Sequence, residues 1–270
     1  MNQENYQFIV KSMQDLGFDD PRLHQLVKQK IESGLFIDKP FTVSTTGTAG
    51  KDKLKFEFNV QRSTDPNYED YYNIKHITMT LTPEKGEAVE IRFPHFKAQK
   101  YPLDQMYQMG KQNEPVYKKD RYEKVGVWAK VNSQPLEGET FMRVRTYADD
   151  VTNFNLSRHL DNLPVKWANG EKEEAMQDLR NGIPVTVTVK LNGNVETDTI
   201  KVSPQLNSLI MINKDGQVVQ RTNNNSISLQ TVEELPAQRK AEDNGVKAKE
   251  VVENMNKPQQ ESKGPKKKVG

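Results

Sequence analysis

Three stretches of this 270-residue chain bring reactive residue types close together. Thr45-Thr-Gly-Thr-Ala-Gly-Lys51 has the glycine, lysine and hydroxyl content of a phosphate-binding loop. Such a loop needs a glycine five residues before its Gly-Lys pair and a Ser or Thr after it to hold magnesium. It also needs a helix whose N-terminus faces the phosphate. Thr45 and Asp52 stand at those two positions, and the residues that follow alternate as a strand. The segment is read as a hairpin turn, and no nucleotide is expected.

Ser157, His159 and Asp161 set a nucleophile, a base and an acid within five residues. Residues two apart on a helix point to different faces, so Ser157 and His159 are not expected to meet. They read as a helix-start hydroxyl and a surface histidine. His24, His76 and His95 are isolated, and Asp19-Asp20 and Asp149-Asp150 suit a helix cap and a loop. The chain has no cysteine, which removes disulfides, thiolate metal ligands and cysteine nucleophiles together. No catalytic residue, metal site or cofactor is expected.

The third stretch, Lys97–Lys130, holds eight Lys or Arg against four acids, interleaved with Tyr101, Tyr107, Tyr117, Tyr122 and Trp128. Cations beside aromatic rings grip phosphates and stack bases. The same pattern arises when aromatics form strand core and lysines the solvated faces, and that reading is preferred because surface charge is the default for lysine. A nucleic-acid contact would fall on Lys118, Lys119 and Arg121, joined by Lys266, Lys267 and Lys268 near the C-terminus. From Ala237 to Gly270 the balance is nine basic residues to five acidic, so +4; the preceding 236 residues hold 30 and 32, so −2. A body so close to neutral is a poor whole-surface nucleic-acid binder.

The elements that must position these residues follow from periodicity. Glu4 to Leu16 reads as a helix with Tyr6, Ile9, Met13 and Leu16 on one face, closed by Gly17. Asp19-Asp20-Pro21 starts a second helix, with Leu23, Leu26, Val27 and Ile31 as its stripe and Gly34 as its end. This pair is read as the cover of a sheet. The alternative is a DNA-reading helix-turn-helix with Arg22, Gln25, Lys28 and Gln29 outward, which usually carries a third helix.

From Phe41 the period changes to two: Phe56, Phe58, Val60; Ile77, Met79, Leu81; Val89, Ile91, Phe93. Ser44–Asp52, Ser63–Tyr71 and Pro83–Gly86 are the turn-rich joints of that meander. Pro102–Met109 reads as a short helix ending at Gly110, and strands are expected over Glu123–Val131 and Thr140–Tyr147. Leu156–Leu163 and Glu171–Arg180 read as helices.

Ile183 to Leu191 is the clearest strand, with Ile183, Val185, Val187, Val189 and Leu191 on one face. Asn192-Gly193-Asn194 is expected as a three-residue hairpin loop that sets Leu191 opposite Val195 and Lys190 opposite Glu196. A third strand, Leu206–Asn213, follows Pro204. The Asn-rich and then charged C-terminal stretch is expected to be disordered.

The order of short motifs carries a resemblance. Met1-Asn-Gln-Glu-Asn5, Leu16-Gly-Phe18, Arg62-Ser-Thr-Asp65 and Tyr71-Tyr-Asn73 are followed by the Tyr107–Tyr117 segment and Trp128. Then come Phe154-Asn-Leu156, Leu163-Pro164, Leu179-Arg-Asn-Gly182, Ser203-Pro-Gln205 and Asp215-Gly216. In this layout the chain resembles a family of uncharacterised Bacteroidetes proteins often encoded on conjugative or mobilisable elements. It departs from the family pattern over Val125–Leu136. The resemblance implies a mobile-element setting and brings no assigned activity.

The expectation is an α+β protein: two antiparallel sheet units, each covered by short helices, plus a disordered C-terminal tail. The divisions are 1–150, 151–220 and 221–270. The function expected is a non-catalytic interaction or accessory protein with a protein partner and no small-molecule cofactor; the alternative is a nucleic-acid-binding module. The N-terminus has no basic and apolar leader pattern, and the longest dense apolar run is Leu209-Ile-Met-Ile212, far short of a span. A cytoplasmic protein without membrane contact is expected.

Overall fold

The computed structural model describes residues 3–68, 71–95, 100–119, 126–149, 154–191 and 194–219. The fold is α+β. Two helices, α1 (Gln3–Gln14) and α2 (Pro21–Glu32), precede four strands: β1 (Phe41–Ala49), β2 (Asp52–Arg62), β3 (Tyr72–Thr82) and β4 (Val89–Pro94). Helix α3 (Leu103–Gln112) leads to β5 (Val116–Lys119), β6 (Gly126–Val131) and β7 (Met142–Ala148). Helices α4 (Leu156–Asp161) and α5 (Glu171–Arg180) then precede β8 (Val185–Leu191), β9 (Asn194–Ser203), β10 (Ser208–Asn213) and β11 (Val218–Val219).

The first seven strands form one sheet in the order β1-β2-β3-β4-β7-β6-β5, and the last four form another, β11-β10-β9-β8. The small sheet is antiparallel throughout. The large one is not: β4 and β7 run parallel, with Ile91 beside Met142. Helix α3 and the β5–β6 pair lie between those strands in sequence, so the chain returns to the sheet from the same end.

Helix α2 starts as its sequence indicates. Asp20 accepts a hydrogen bond from the Arg22 amide at 2.9 Å, and Pro21 opens the first turn. Its buried stripe is Leu23, His24, Val27 and Ile31, whereas Leu26 is exposed; His24 takes the inward place by bonding the Phe18 carbonyl oxygen at 3.0 Å.

Two expected boundaries move. Strand β1 continues through Ser44 to Ala49, so the turn is only Gly50-Lys51. Helix α3 runs past Gly110 to Gln112 and ends at Asn113, whose φ is 54°. Gly110 serves packing instead: a Cβ there would strike Ile91 and Met79, so its absence lets the helix lie close on β3 and β4.

The main core lies between the large sheet and α1, α2 and α3. Phe56, Phe58, Val60, Met79 and Ile91 meet Ile9, Met13, Leu23, Val27 and Met106 there, all buried. Phe18 packs edge-on against Phe56 and Phe58, with centroids 4.9 and 4.8 Å apart. A second core gathers Leu156, Leu160, Leu179, Val187, Val189, Ile200 and Met211 around Trp128 of β6, with Tyr117 and Tyr147 packed on it. The helices and small sheet after residue 150 therefore rest on the β5–β7 end of the large sheet, on the face opposite α1 and α2.

The small-sheet hairpin is one residue tighter than expected. Leu191 pairs with Asn194, Lys190 with Val195 and Val189 with Glu196, leaving two residues in the connection. The three-residue loop is thus corrected, and with it both expected cross-strand pairs. Two-residue loops of Asn-Gly type match the twist of a β-ribbon, which favours the tighter register.

Candidate functional site

Of the cations singled out in the sequence, the described residues include Lys118 and Lys119. Lys118 and Lys119 are neighbours on β5 and so project to opposite faces. Lys118 lies over the Tyr101 ring, 5.7 Å from its centroid, and burial lowers its pKa to about 8 while Asp104 pulls it back up. Lys119 is exposed. Lys100 donates to Ser12 Oγ at 3.2 Å, and Lys111 to Asp52 Oδ2 at 2.7 Å. Lys130 sits beside Glu114 and Lys201, its pKa lowered chiefly by burial. Arg121, Lys266, Lys267 and Lys268 lie outside the described residues. The interleaved aromatics Tyr101, Tyr107 and Trp128 are core, 2%, 4% and 1% exposed.

Several buried polar clusters tie distant elements together. Asp52 accepts from the Tyr107 hydroxyl at 2.9 Å, from Lys111, and from the Glu84 amide at 3.2 Å. One carboxylate thus pins the β1–β2 and β3–β4 turns to α3, and both burial and this bond push the Tyr107 pKa up. Glu114, just before β5, receives Lys201 of β9 at 2.6 Å. Its burial raises its pKa while Lys201 and Lys130 oppose the rise.

His95 Nε2 is 3.1 Å from Ser12 Oγ, joining the end of β4 to α1. Here a hydroxyl does meet an imidazole, but both side chains are buried, Ser12 5% and His95 9% exposed. The sequence motif Ser157/His159/Asp161 separates as expected. Ser157 and Asp161 both bind Lys172 of α5, at 2.9 and 2.5 Å, and His159 stacks on Phe154 with centroids 5.0 Å apart. Among the described residues no three His, Cys, Asp or Glu gather as a metal site.

The surface left open is the face of β1–β4 away from the helices. Strand alternation and register place Thr42, Ser44, Thr46 and Thr48 of β1 beside Asn59, Glu57, Lys55 and Lys53 of β2. Thr82, Thr80 and His76 of β3 continue those rows half-buried, followed by half-buried Glu90 and Arg92 of β4, while Thr78 between them is buried, so the exposed part of the face lies on β1 and β2. Lys55 pairs with Glu57 at 2.9 Å, and the Arg92 guanidinium lies 3.5 Å above the Phe141 ring. A shallow groove of about 420 Å³ runs over this face between Thr46, Thr48, Lys53, Lys55, Thr80 and Thr82. Hydroxyls and ammonium groups in a regular grid can hydrogen-bond a polar partner and hold its carboxylates. In sequence Thr46 and Thr48 read as part of a turn, and Lys53, Lys55, Thr80 and Thr82 read, one at a time, as the solvated side of a strand.

The polar clusters above are internal ties and this face is the exposed, regularly spaced polar surface of the large sheet. Compared with family models, with curated proteins and with solved structures, the chain matches none.

Proposed function

We propose that this is a non-catalytic cytoplasmic interaction or accessory protein that docks a protein partner on the uncovered face of β1–β4. On the resemblance of its motifs, it is one carried on a mobile genetic element. The supporting observation is the asymmetry of the large sheet. One face carries Phe56, Phe58, Met79 and Ile91 under three helices, while the other presents Thr42, Ser44, Thr46, Thr48, Lys53 and Lys55. Ionisable groups elsewhere also support it, since Asp52, Glu114 and His95 each hold two parts of the fold together.

The test is native purification of the full chain with and without nuclease, alongside Lys53→Glu/Lys55→Glu. A partner that survives nuclease and is lost with the reversed charges is the expected result. A partner retained equally by the variant overturns the face as the docking site. Capture abolished by nuclease would replace the reading with nucleic-acid binding, whose contacts would then include exposed Lys119, Arg143 and Arg145.

A further inference from the structure

Strands β4 and β7 run parallel, and their register sets Arg92 directly beside Arg143. Alternation then places Phe141, just before β7, and Arg143 and Arg145 within it on the same face of the sheet as Arg92. On that face the Arg92 guanidinium lies 3.5 Å above the Phe141 ring, and that of Arg143 lies 5.7 Å from it. The ring itself is buried. Three arginines therefore line one strip of the sheet, where its two antiparallel parts join.

Their charges are not balanced from within the chain. Arg143 pairs with Glu139. Arg92 and Arg145 form no ion pair among the described residues, and Arg92 Nε is shut off from solvent without an acceptor. Lys55 and Lys51, by contrast, each have a carboxylate, Glu57 at 2.9 Å and Glu84 at 3.0 Å. The Arg92 charge reaches its neighbours: burial first, and Arg92 second, lower the His76 pKa. Like charges side by side on a sheet destabilise it. Such a cost, left without a counter-ion, marks a place that serves something outside the fold.

A guanidinium is a rigid planar fork that matches the two oxygens of a carboxylate, and stacking on a ring fixes its orientation in advance. Phosphate fits the same fork, so the surroundings decide between them. Glu90 lies two residues from Arg92 on the same face, Glu57 two strands away, and Glu139 on Arg143. A nucleic-acid strand, charged at every nucleotide, would meet those carboxylates. A peptide can set one carboxylate at the arginines and neutral groups beside the acids. We propose that Arg92, Arg143 and Arg145 form a carboxylate site that takes a glutamate or aspartate side chain of an acidic peptide segment. The site rests on the docking reading and gives that partner its chemistry. The register row Ser44–Glu57–Thr78–Arg92–Arg143 links the open face of β1 and β2 directly to it.

A glutamate-rich peptide, its glutamine counterpart and a single-stranded oligonucleotide, each titrated into the full chain, test the site. The glutamate peptide should bind. Arg145→Gln and Arg92→Lys should each weaken it by about tenfold or more, the scale of one charge-assisted hydrogen bond. Arg92→Lys keeps the charge and loses the fork, so its loss separates planar recognition from general attraction. Arg145 is exposed, so its replacement leaves the fold in place. Attraction to the lysine-rich C-terminal sequence is common to all the chains and cancels in the comparison. The glutamine peptide should not distinguish the wild type from either variant.

Equal affinity of the wild type, Arg145→Gln and Arg92→Lys for the glutamate peptide would overturn the proposal. So would tighter, arginine-dependent binding of the oligonucleotide, which would make the site one for phosphodiesters. The docking reading fails separately. If Lys53→Glu/Lys55→Glu leaves partner capture intact while the peptide still needs Arg92 and Arg145, the carboxylate site stands and the partner docks elsewhere than on β1 and β2. If that variant loses the partner while both arginine variants hold the peptide as tightly as the wild type, the docking face stands and the carboxylate site does not.

Discussion

Lys201 Nζ reaches across from the small sheet to lie 2.6 Å from Glu114 Oε1 beside the large one, with the carboxylate side chain 8% exposed and the lysine 24%. The pair is 87 residues apart in sequence and joins the elements after residue 150 to β5 and β6. Removing one partner of such a pair leaves a buried charge, which costs more than the pair itself is worth.

Lys201→Met should therefore lower the unfolding free energy by about 2 kcal/mol or more. Glu114→Gln/Lys201→Met should recover most of that loss, because no buried carboxylate is left behind. Urea unfolding of the wild type, both single variants and the double variant measures this coupling. Additive losses would mean that solvent screens the two groups from each other.

Much of the fold was legible because it rests on local pattern. Leu54, Phe56, Phe58 and Val60 alternate so cleanly that β2 needs no other evidence, and Asp20-Pro21 marks the start of α2 within a residue. What stayed illegible depends on distance or on packing. The parallel alignment of β4 with β7 is decided by the path through α3, β5 and β6, which no local window contains. β5 is only four residues long after Pro115, too short for a period to declare itself. Gly110 looks like a helix terminator in sequence and is a packing residue in the fold, since Met79 and Ile91 occupy the space a side chain would take. The open face of β1–β4 was hidden for another reason. Thr46, Lys55 and Thr80 become one row only through the register of three strands.

Gly126 is the second position where a missing Cβ decides the packing. The Tyr117 hydroxyl and the Asp149 carboxylate, hydrogen-bonded at 2.9 Å, lie directly over its Cα, and a Cβ would overlap both. Gly126→Ala should cost about 1–3 kcal/mol by forcing that pair aside. Tyr117→Phe in the same chain removes the clashing oxygen, so Gly126→Ala should cost less in that background than in the wild type. Thermal melts of the four chains test this. An equal cost in both backgrounds would place the strain on the Asp149 carboxylate and the Tyr117 ring carbon, which both remain, and not on the hydroxyl.

His95 gives the pH dependence of the fold. Its Nε2 is 3.1 Å from Ser12 Oγ, and Lys100 donates to that same oxygen at 3.2 Å, so the hydroxyl is free to donate to a neutral imidazole. Protonating the ring would remove the acceptor and set a cation close to the Lys100 ammonium. Burial first, and Lys100 second, lower the His95 pKa from 6.5 to about 4. The unfolded chain therefore takes up a proton near pH 6.5 that the folded chain accepts only near pH 4. Stability is fully present above pH 6.5 and is lost as the pH falls through that window, by a total approaching about 3 kcal/mol. His95→Gln keeps a hydrogen-bonding side chain but cannot titrate. Urea unfolding of both proteins from pH 8 to pH 4 should show a difference that is constant above pH 7 and shrinks steadily below 6.5. Carboxylates and the other histidines are common to both chains and cancel in that difference. Parallel curves would mean that water reaches the imidazole and that the Ser12–His95 tie does not hold β4 to α1.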